Sequence, residues 1–105
     1  MDKFFALSDP NRRNIIQLLS VQGAQSVNDL VANFPISQPA ISQHLKILRE
    51  AHLVDVKKDA QKRLYSVNFD GLSEVESWIQ STTKLWNTRF DALEKVLQRE
   101  KSKNS

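Results

Sequence analysis

The apolar residues of this chain change their spacing twice, and that constrains the fold more than any other feature. Up to Ala51 they recur three and four residues apart, the period of a helix packed on one side. From Leu53 to Val67, in "LVDVKKDAQKRLYSV", they alternate, and β-branched and aromatic residues enter. The polar break Asp59-Ala60-Gln61 divides that stretch into two short antiparallel strands with a basic-flanked loop. From Leu72 the helical period returns: Leu72, Val75, Ile79, Trp86, Leu93 and Leu97 lie three, four or seven residues apart, and Trp78, Leu85, Phe90 and Val96 widen the stripe. This predicts one helix over about 71–100, roughly 40 Å long at ~1.5 Å per residue, or two helices breaking near Ser81-Thr82-Thr83. The fold class is mainly α with a small two-stranded β-wing over about 53–67.

Local punctuation divides the first half. "KFFAL" at 3–7 reads as a short apolar helix or arm. Ser8 and Asp9 then offer N-cap oxygens, and Pro10 suits a first helical turn. Ile15, Leu18 and Leu19 follow at helical spacing until Gly23. Ser26 opens the next helix, with Asp29 closing a shortened capping box. Pro35 disfavours helix at Phe34, and Ser37 caps a helix that carries Pro39 in its first turn and continues to about Ala51. Two helices, 26–34 and 37–51, are thus joined by the tight turn "FPIS" and followed by a hairpin. That is the order of a winged helix–turn–helix.

The totals fit one domain over residues 1–100 with a polar, disordered tail at 101–105. There is no cysteine, which excludes disulfides and thiolate metal sites. No apolar run approaches ~18 residues, so no membrane span is expected. The start "MDKFFALSDP" has no charged lead followed by a long apolar region, so no signal peptide is expected and the location reads as cytoplasmic. The net charge of +3 is unevenly placed. Residues 1–37 and 64–105 each balance to zero, whereas 38–63 hold six basic and three acidic side chains. A concentrated basic segment is the electrostatic footprint of a nucleic-acid binder.

The helix "ISQPAISQHLKIL" has two unlike sides. Ile41, Leu45 and Leu48 suit a core, while Gln38, Pro39, Ser42, Gln43 and Lys46 fall on the outer face or at the exposed N-terminal end. Small polar side chains there can enter a major groove. Gln can pair with an adenine edge, Ser with several bases, and Pro methylenes can meet a thymine methyl. Lys46 and Arg49 suit phosphates. An ordinary amphipathic surface helix would show the same face. The turn, the basic hairpin and the charge placement together favour double-stranded DNA.

"FALSDPNRRNIIQLL", "ISQPAISQHLKILREAHLV" and "KRLYSVN" resemble the ArsR/SmtB family of dimeric bacterial repressors over roughly residues 4–69, and the long last helix suits that family. The resemblance implies that Gln38, Pro39, Ser42 and Gln43 read bases. It implies that Ser37, Lys46, Arg49, Lys57, Lys58, Lys62 and Arg63 meet the DNA backbone, the last four from the wing. It also implies a dimer interface on the first and last helices: Phe4, Phe5, Leu72, Val75, Trp78, Ile79, Trp86, Phe90, Leu93 and Leu97. A dimer follows from the residues as well, since a winged domain of about 65 residues cannot cover so apolar a last helix. "LWNTRFDALEKVL" is further similar to a branch with a Trp-rich final helix not usually associated with metals.

Many members of that family sense metals. Here "SVNDLVANF", where one sensor site carries cysteines, has none, and the last helix has no histidine. Its carboxylates Asp70, Glu74, Glu76, Asp91 and Glu94 suit only hard cations, weakly. His44 and His52 lie eight residues apart; they read as a packing or phosphate-contacting residue and a helix-end residue suited to the dipole. No metal or other cofactor is expected. There is no Gly-rich phosphate loop, and the serines at helix starts have complete explanations as caps, so the chain is not expected to be an enzyme. The reading is a metal-independent homodimeric repressor on an inverted repeat, its effector unknown. A protein–protein module would have no reason to keep a basic wing and a small polar recognition face. A small-ligand regulator could bind between Trp78, Trp86 and the first helix, but these aromatics read more simply as core or interface.

Overall fold

The chain is described by a computed structural model over residues 1–103. It divides into two units, Met1–Val75 and a second beginning at Glu76.

In the first unit, helices α1 (Lys3–Ala6), α2 (Pro10–Gln22), α3 (Val27–Asn33) and α4 (Gln38–Glu50) precede strands β1 (Val54–Asp59) and β2 (Lys62–Val67), and α5 starts at Phe69. Each helix starts where a side chain can satisfy an orphan amide. Asp9 accepts from the Arg12 amide, Ser37 accepts from that of Ala40, and Ser26 and Asp29 form the full capping box. Of the two oxygens offered before Pro10, Asp9 is the cap, and the Ser8 hydroxyl donates to the Phe5 carbonyl instead. Asp2 caps α1, a role the sequence did not suggest. Asn68 caps α5, its side-chain oxygen accepting from the Gly71 amide at 3.0 Å.

The end of α4 closes without glycine. His52 stands at φ 59°, the Leu53 amide donates to the Leu48 carbonyl, and the His52 amide donates to Arg49. That is the paired arrangement of a Schellman motif. The strands are antiparallel with Val54 opposite Val67 and Asp59 opposite Lys62, so the turn is only Ala60-Gln61. A third short edge was not expected: Gln25 pairs with Tyr65 through two backbone hydrogen bonds of 2.8 and 2.9 Å. It joins the segment before α3 to the wing.

Ile15, Leu19, Leu30, Ile41, Leu45, Leu48, Leu53 and Val54 form the centre of the core. Leu72 packs on it and Val75 is buried, so two residues expected at a dimer interface are used within the chain's own first unit. Lys3 adds an ion pair to Glu74 at 2.9 Å.

The helix α5 runs unbroken from Phe69 to Lys103, with no interruption at Ser81–Thr83. It includes Lys101–Lys103 of the expected tail; Asn104 and Ser105 lie outside the described residues. Residues 76–101, all in the second unit, are exposed. Among them are Trp78, Ile79, Leu85, Trp86, Phe90, Leu93, Val96 and Leu97. No helix among the described residues is long and apolar enough to cross a membrane.

Candidate nucleic-acid interface

The recognition face of α4 begins at its cap. Ser37 orients the first turn, and Gln38 and Pro39 stand exposed on it. Burying Ile41, Leu45 and Leu48 turns Ser42, Gln43, Lys46 and Arg49 outward, and all four are exposed. The helix therefore shows solvent a polar N-terminal half and a cationic C-terminal half.

The wing brings a second set of charges. Residues alternate across its two faces. Lys58 stands directly opposite Arg63, and Lys57 opposite Leu64. Like charges directly opposite cost hairpin stability, so a Lys–Arg pair there is poor design for a structural hairpin and good design for meeting an anion. Lys62 pairs across the turn with Asp59 and also acts on Asp29. The Asp29 carboxyl lies below its usual range, first through the Ser26 backbone and side-chain hydrogen bonds and then, against some burial, through Lys62.

Ser42, Lys46, Arg49 and Glu50 of α4 share one open cleft of about 670 Å³ with Arg63 and Tyr65 of β2. The cleft gathers three cations from two elements against a single carboxylate. Gln38, Pro39 and Gln43 lie outside it, as do Lys57, Lys58 and Lys62. Tyr65 was not anticipated in this position. Alternation along β2 puts it on the same face as Arg63, and its place in the cleft came only from the packing of that face against α4.

His44, expected to pack or to contact phosphate, lies against α2. It is half-buried, its Nδ1 3.3 Å from Arg12 Nη1 and 3.9 Å from the Asp9 carboxylate. Burial raises the Asp9 carboxyl, but the Arg12 amide hydrogen bond and the nearby His44 and Arg12 outweigh it and hold the group below its usual value. Arg12 is buried at 8% exposure. Its sequence signal was its phase: it continues the buried stripe of Ile15, Ile16 and Leu19 by one turn. No group of three or more His, Asp or Glu side chains is placed to hold a metal among the described residues.

Residues 9–56, from the cap of α2 into β1, match the bacterial regulatory protein, arsR family. The transcriptional repressor SdpR of Bacillus subtilis is 38% identical over 76 residues, covering 72% of this chain and 83% of its own length. The chain belongs to the arsR family. Members of this family are DNA-binding transcriptional regulators rather than enzymes. A solved structure described as a possible transcriptional regulator for arsenical resistance is 41% identical with a TM-score of 0.72, over 78% of this chain and 84% of that one. An ArsR-like transcriptional regulator from Rhodococcus sp. RHA1 is 27% identical with a TM-score of 0.81, over 90% of this chain and 86% of its own. The family's winged helix–turn–helix is therefore the fold of this chain.

Proposed function

We propose that this family member is a homodimeric repressor that grips an inverted-repeat operator, and that it does so without a metal. The observation that carries the DNA reading is the convergence of α4 and β2 on one cationic cleft beside an exposed row of small polar side chains. Gln38, Pro39, Ser42 and Gln43 read base edges in the major groove. Ser37, Lys46, Arg49 and Arg63 position the duplex through its phosphates, and Lys57, Lys58 and Lys62 extend that contact along the wing. The exposed apolar stripe of α5 supports the dimer, because a soluble chain seldom leaves so much contiguous apolar surface uncovered. Within the first unit, Phe4 and Phe5, 42% and 53% exposed on α1, are further apolar side chains suited to a partner copy. Twofold symmetry then sets half-sites about 10–10.5 bp apart, or a multiple of that.

The metal-free part of the reading rests on donor chemistry. With no thiolate available, the nitrogen donors are His44, whose Nδ1 is engaged by Arg12, and His52, at the closing turn of α4. Operator affinity measured with and without a strong chelator should agree within about twofold, far less than the tenfold that 1.4 kcal/mol represents.

Fluorescence anisotropy on duplexes enriched from a random pool, across a salt series with nonspecific competitor, tests the DNA reading. Affinity that survives competitor and falls linearly with log salt supports it; no binding even at low salt overturns it. Gln43→Ala should cost about 1–3 kcal/mol on the enriched duplex and relax preference at one base position. Unchanged affinity for every sequence would remove Gln43 from the base-reading set. Lys58→Glu should act oppositely on two properties. It relieves the facing Lys58–Arg63 pair and so raises stability by about 0.2–1 kcal/mol, seen in urea unfolding. It also weakens all duplexes alike and flattens the salt slope. A variant that is both more stable and equally tight on DNA would show that the facing cations serve no anion.

A further inference from the structure

We propose that buried Arg12 is a positioning residue for the recognition helix, acting through His44 to fix the rotation at which α4 presents its base-reading side chains. The inference rests on the DNA reading above and concerns a residue outside that surface.

Arg12 sits on the apolar stripe of α2 and spends its donors in three directions. Nε donates to the Ala6 carbonyl at 2.7 Å, Nη2 to the Phe5 carbonyl at 3.4 Å, and Nη1 to His44 Nδ1 at 3.3 Å. The Phe5 ring covers the guanidinium with its centroid 5.5 Å from Cζ. Ala6 and Phe5 are the last residues of α1, and the Phe5 carbonyl also accepts from the Ser8 amide and hydroxyl. One rigid, planar group therefore ties the end of α1 to a ring on α4. A lysine, with a single point charge, cannot hold both.

The direction of the third bond is fixed by chemistry. A guanidinium is always protonated and only donates. The Arg12–His44 bond therefore forms where His44 Nδ1 carries no proton and accepts. Asp9, which caps α2 and bonds the Arg12 amide, faces the same Nδ1. The Arg12 guanidinium thus makes one directed contact from α2 to a residue of α4, immediately after Gln43 and two after Ser42.

Apolar contacts at Ile41, Leu45 and Leu48 decide which side of α4 is buried, but they are non-directional. A turn of the helix by about 20° moves a side chain at its outer radius of about 5–6 Å by roughly 2 Å. Base-edge hydrogen bonds do not survive such a shift, whereas flexible lysines on phosphates do. The Arg12–His44 bond supplies the directional restraint. Because Phe5 is exposed and covers the guanidinium, whatever packs on α1 bears on the same restraint.

The test compares wild type, His44→Leu, His44→Asn and Arg12→Lys on two duplexes at one salt concentration: the duplex enriched by the wild-type chain, and a scrambled one of equal composition. Asparagine keeps an acceptor near the Nδ1 position and leucine does not. His44→Leu and Arg12→Lys should lose about tenfold or more on the enriched duplex and less than about threefold on the scrambled one, while His44→Asn stays within about threefold of wild type on both. Circular dichroism confirms folding; if Arg12→Lys does not fold, the two His44 variants decide alone. Wild-type affinity in His44→Leu overturns the inference. So does a loss in His44→Asn equal to that in leucine, or equal losses on both duplexes. A wild-type chain that enriches no duplex sinks the DNA reading and this inference together, which separates the two failures.

Discussion

Replacing Trp86 and Phe90 together by glutamate should give a chain that runs as a monomer near 12.1 kDa and has lost most of its operator affinity. The two rings meet edge to face, 5.0 Å between centroids and 89° between planes. With Leu93 and Val96 they line an open apolar groove of about 570 Å³ on the outer half of α5. Trp86 and Phe90 are each more than half exposed. Aromatic residues of this kind bury about 150–250 Å² apiece when covered and are the usual hot spots of an interface, at about 2–4 kcal/mol each on truncation. Two carboxylates per copy would have to enter that patch unpaired, which costs more than truncation. Losing the second recognition helix turns a two-site grip into a one-site grip, so operator affinity should fall by roughly 10²–10⁴. Far-UV circular dichroism should also lose helix signal, because an exposed helix needs tertiary packing to persist in water. Light scattering after size exclusion decides the point. A variant still dimeric would place the interface elsewhere, with the exposed Phe4 and Phe5 of α1 as the first alternative.

The helix starts were legible because their cause is local. Asp9, Ser26 and Ser37 each satisfy an amide three residues ahead, and any reader of the sequence can count three residues. The wing was legible for the same reason: alternation within fifteen residues fixes which side chains share a face. Features that join distant segments were not. The Gln25–Tyr65 bridge leaves no periodic trace, so a third edge was missed. Arg12 was counted among balanced charges although its phase on α2 placed it inside. Leu72 and Val75 show a different limit. They belong to the apolar stripe of α5, and periodicity identifies the stripe, but it does not say what covers each part of it. The first two turns are covered by the chain's own core, while residues 76–101 are left exposed. For the nucleic-acid surface, residue types and charge placement were enough to nominate Ser42, Lys46 and Arg49, and the family resemblance added Arg63. Their meeting at one cleft needed the hairpin register and the angle of α4, neither of which a single sequence states.

Gly71→Ala should be among the most damaging single substitutions in the first unit, although alanine is the better helix former by about 1 kcal/mol. Gly71 is buried in the first turn of α5. A Cβ there would run into the His52 carbonyl oxygen, well inside van der Waals contact, and lie 3.0 Å from the carbonyl carbon. The obstacle is backbone, and it cannot step aside. His52 is held at φ 59° by the closing turn of α4, and Asn68 ties the start of α5 to the same place through its amide on the Leu53 carbonyl at 2.9 Å. Relief therefore requires moving the α5 start away from the α4 end, which loosens the packing of Leu72 and Val75. Such overpacking costs about 1–3 kcal/mol or more. A net loss of about 2 kcal/mol would lower Tm by roughly 8–16 °C in a domain of this size. Gly23→Ala is the control. Its φ of 81° and ψ of −161° strain alanine by about 1–3 kcal/mol, but nothing lies within 4 Å of the added carbon, so the cost is confined to the backbone of one exposed residue and moves no packed element. Thermal melts of the two variants should rank Gly71→Ala below Gly23→Ala. The reverse order would mean that α5 starts with enough freedom to absorb a methyl group against His52, and that the α4–α5 junction is a soft joint rather than a fixed one.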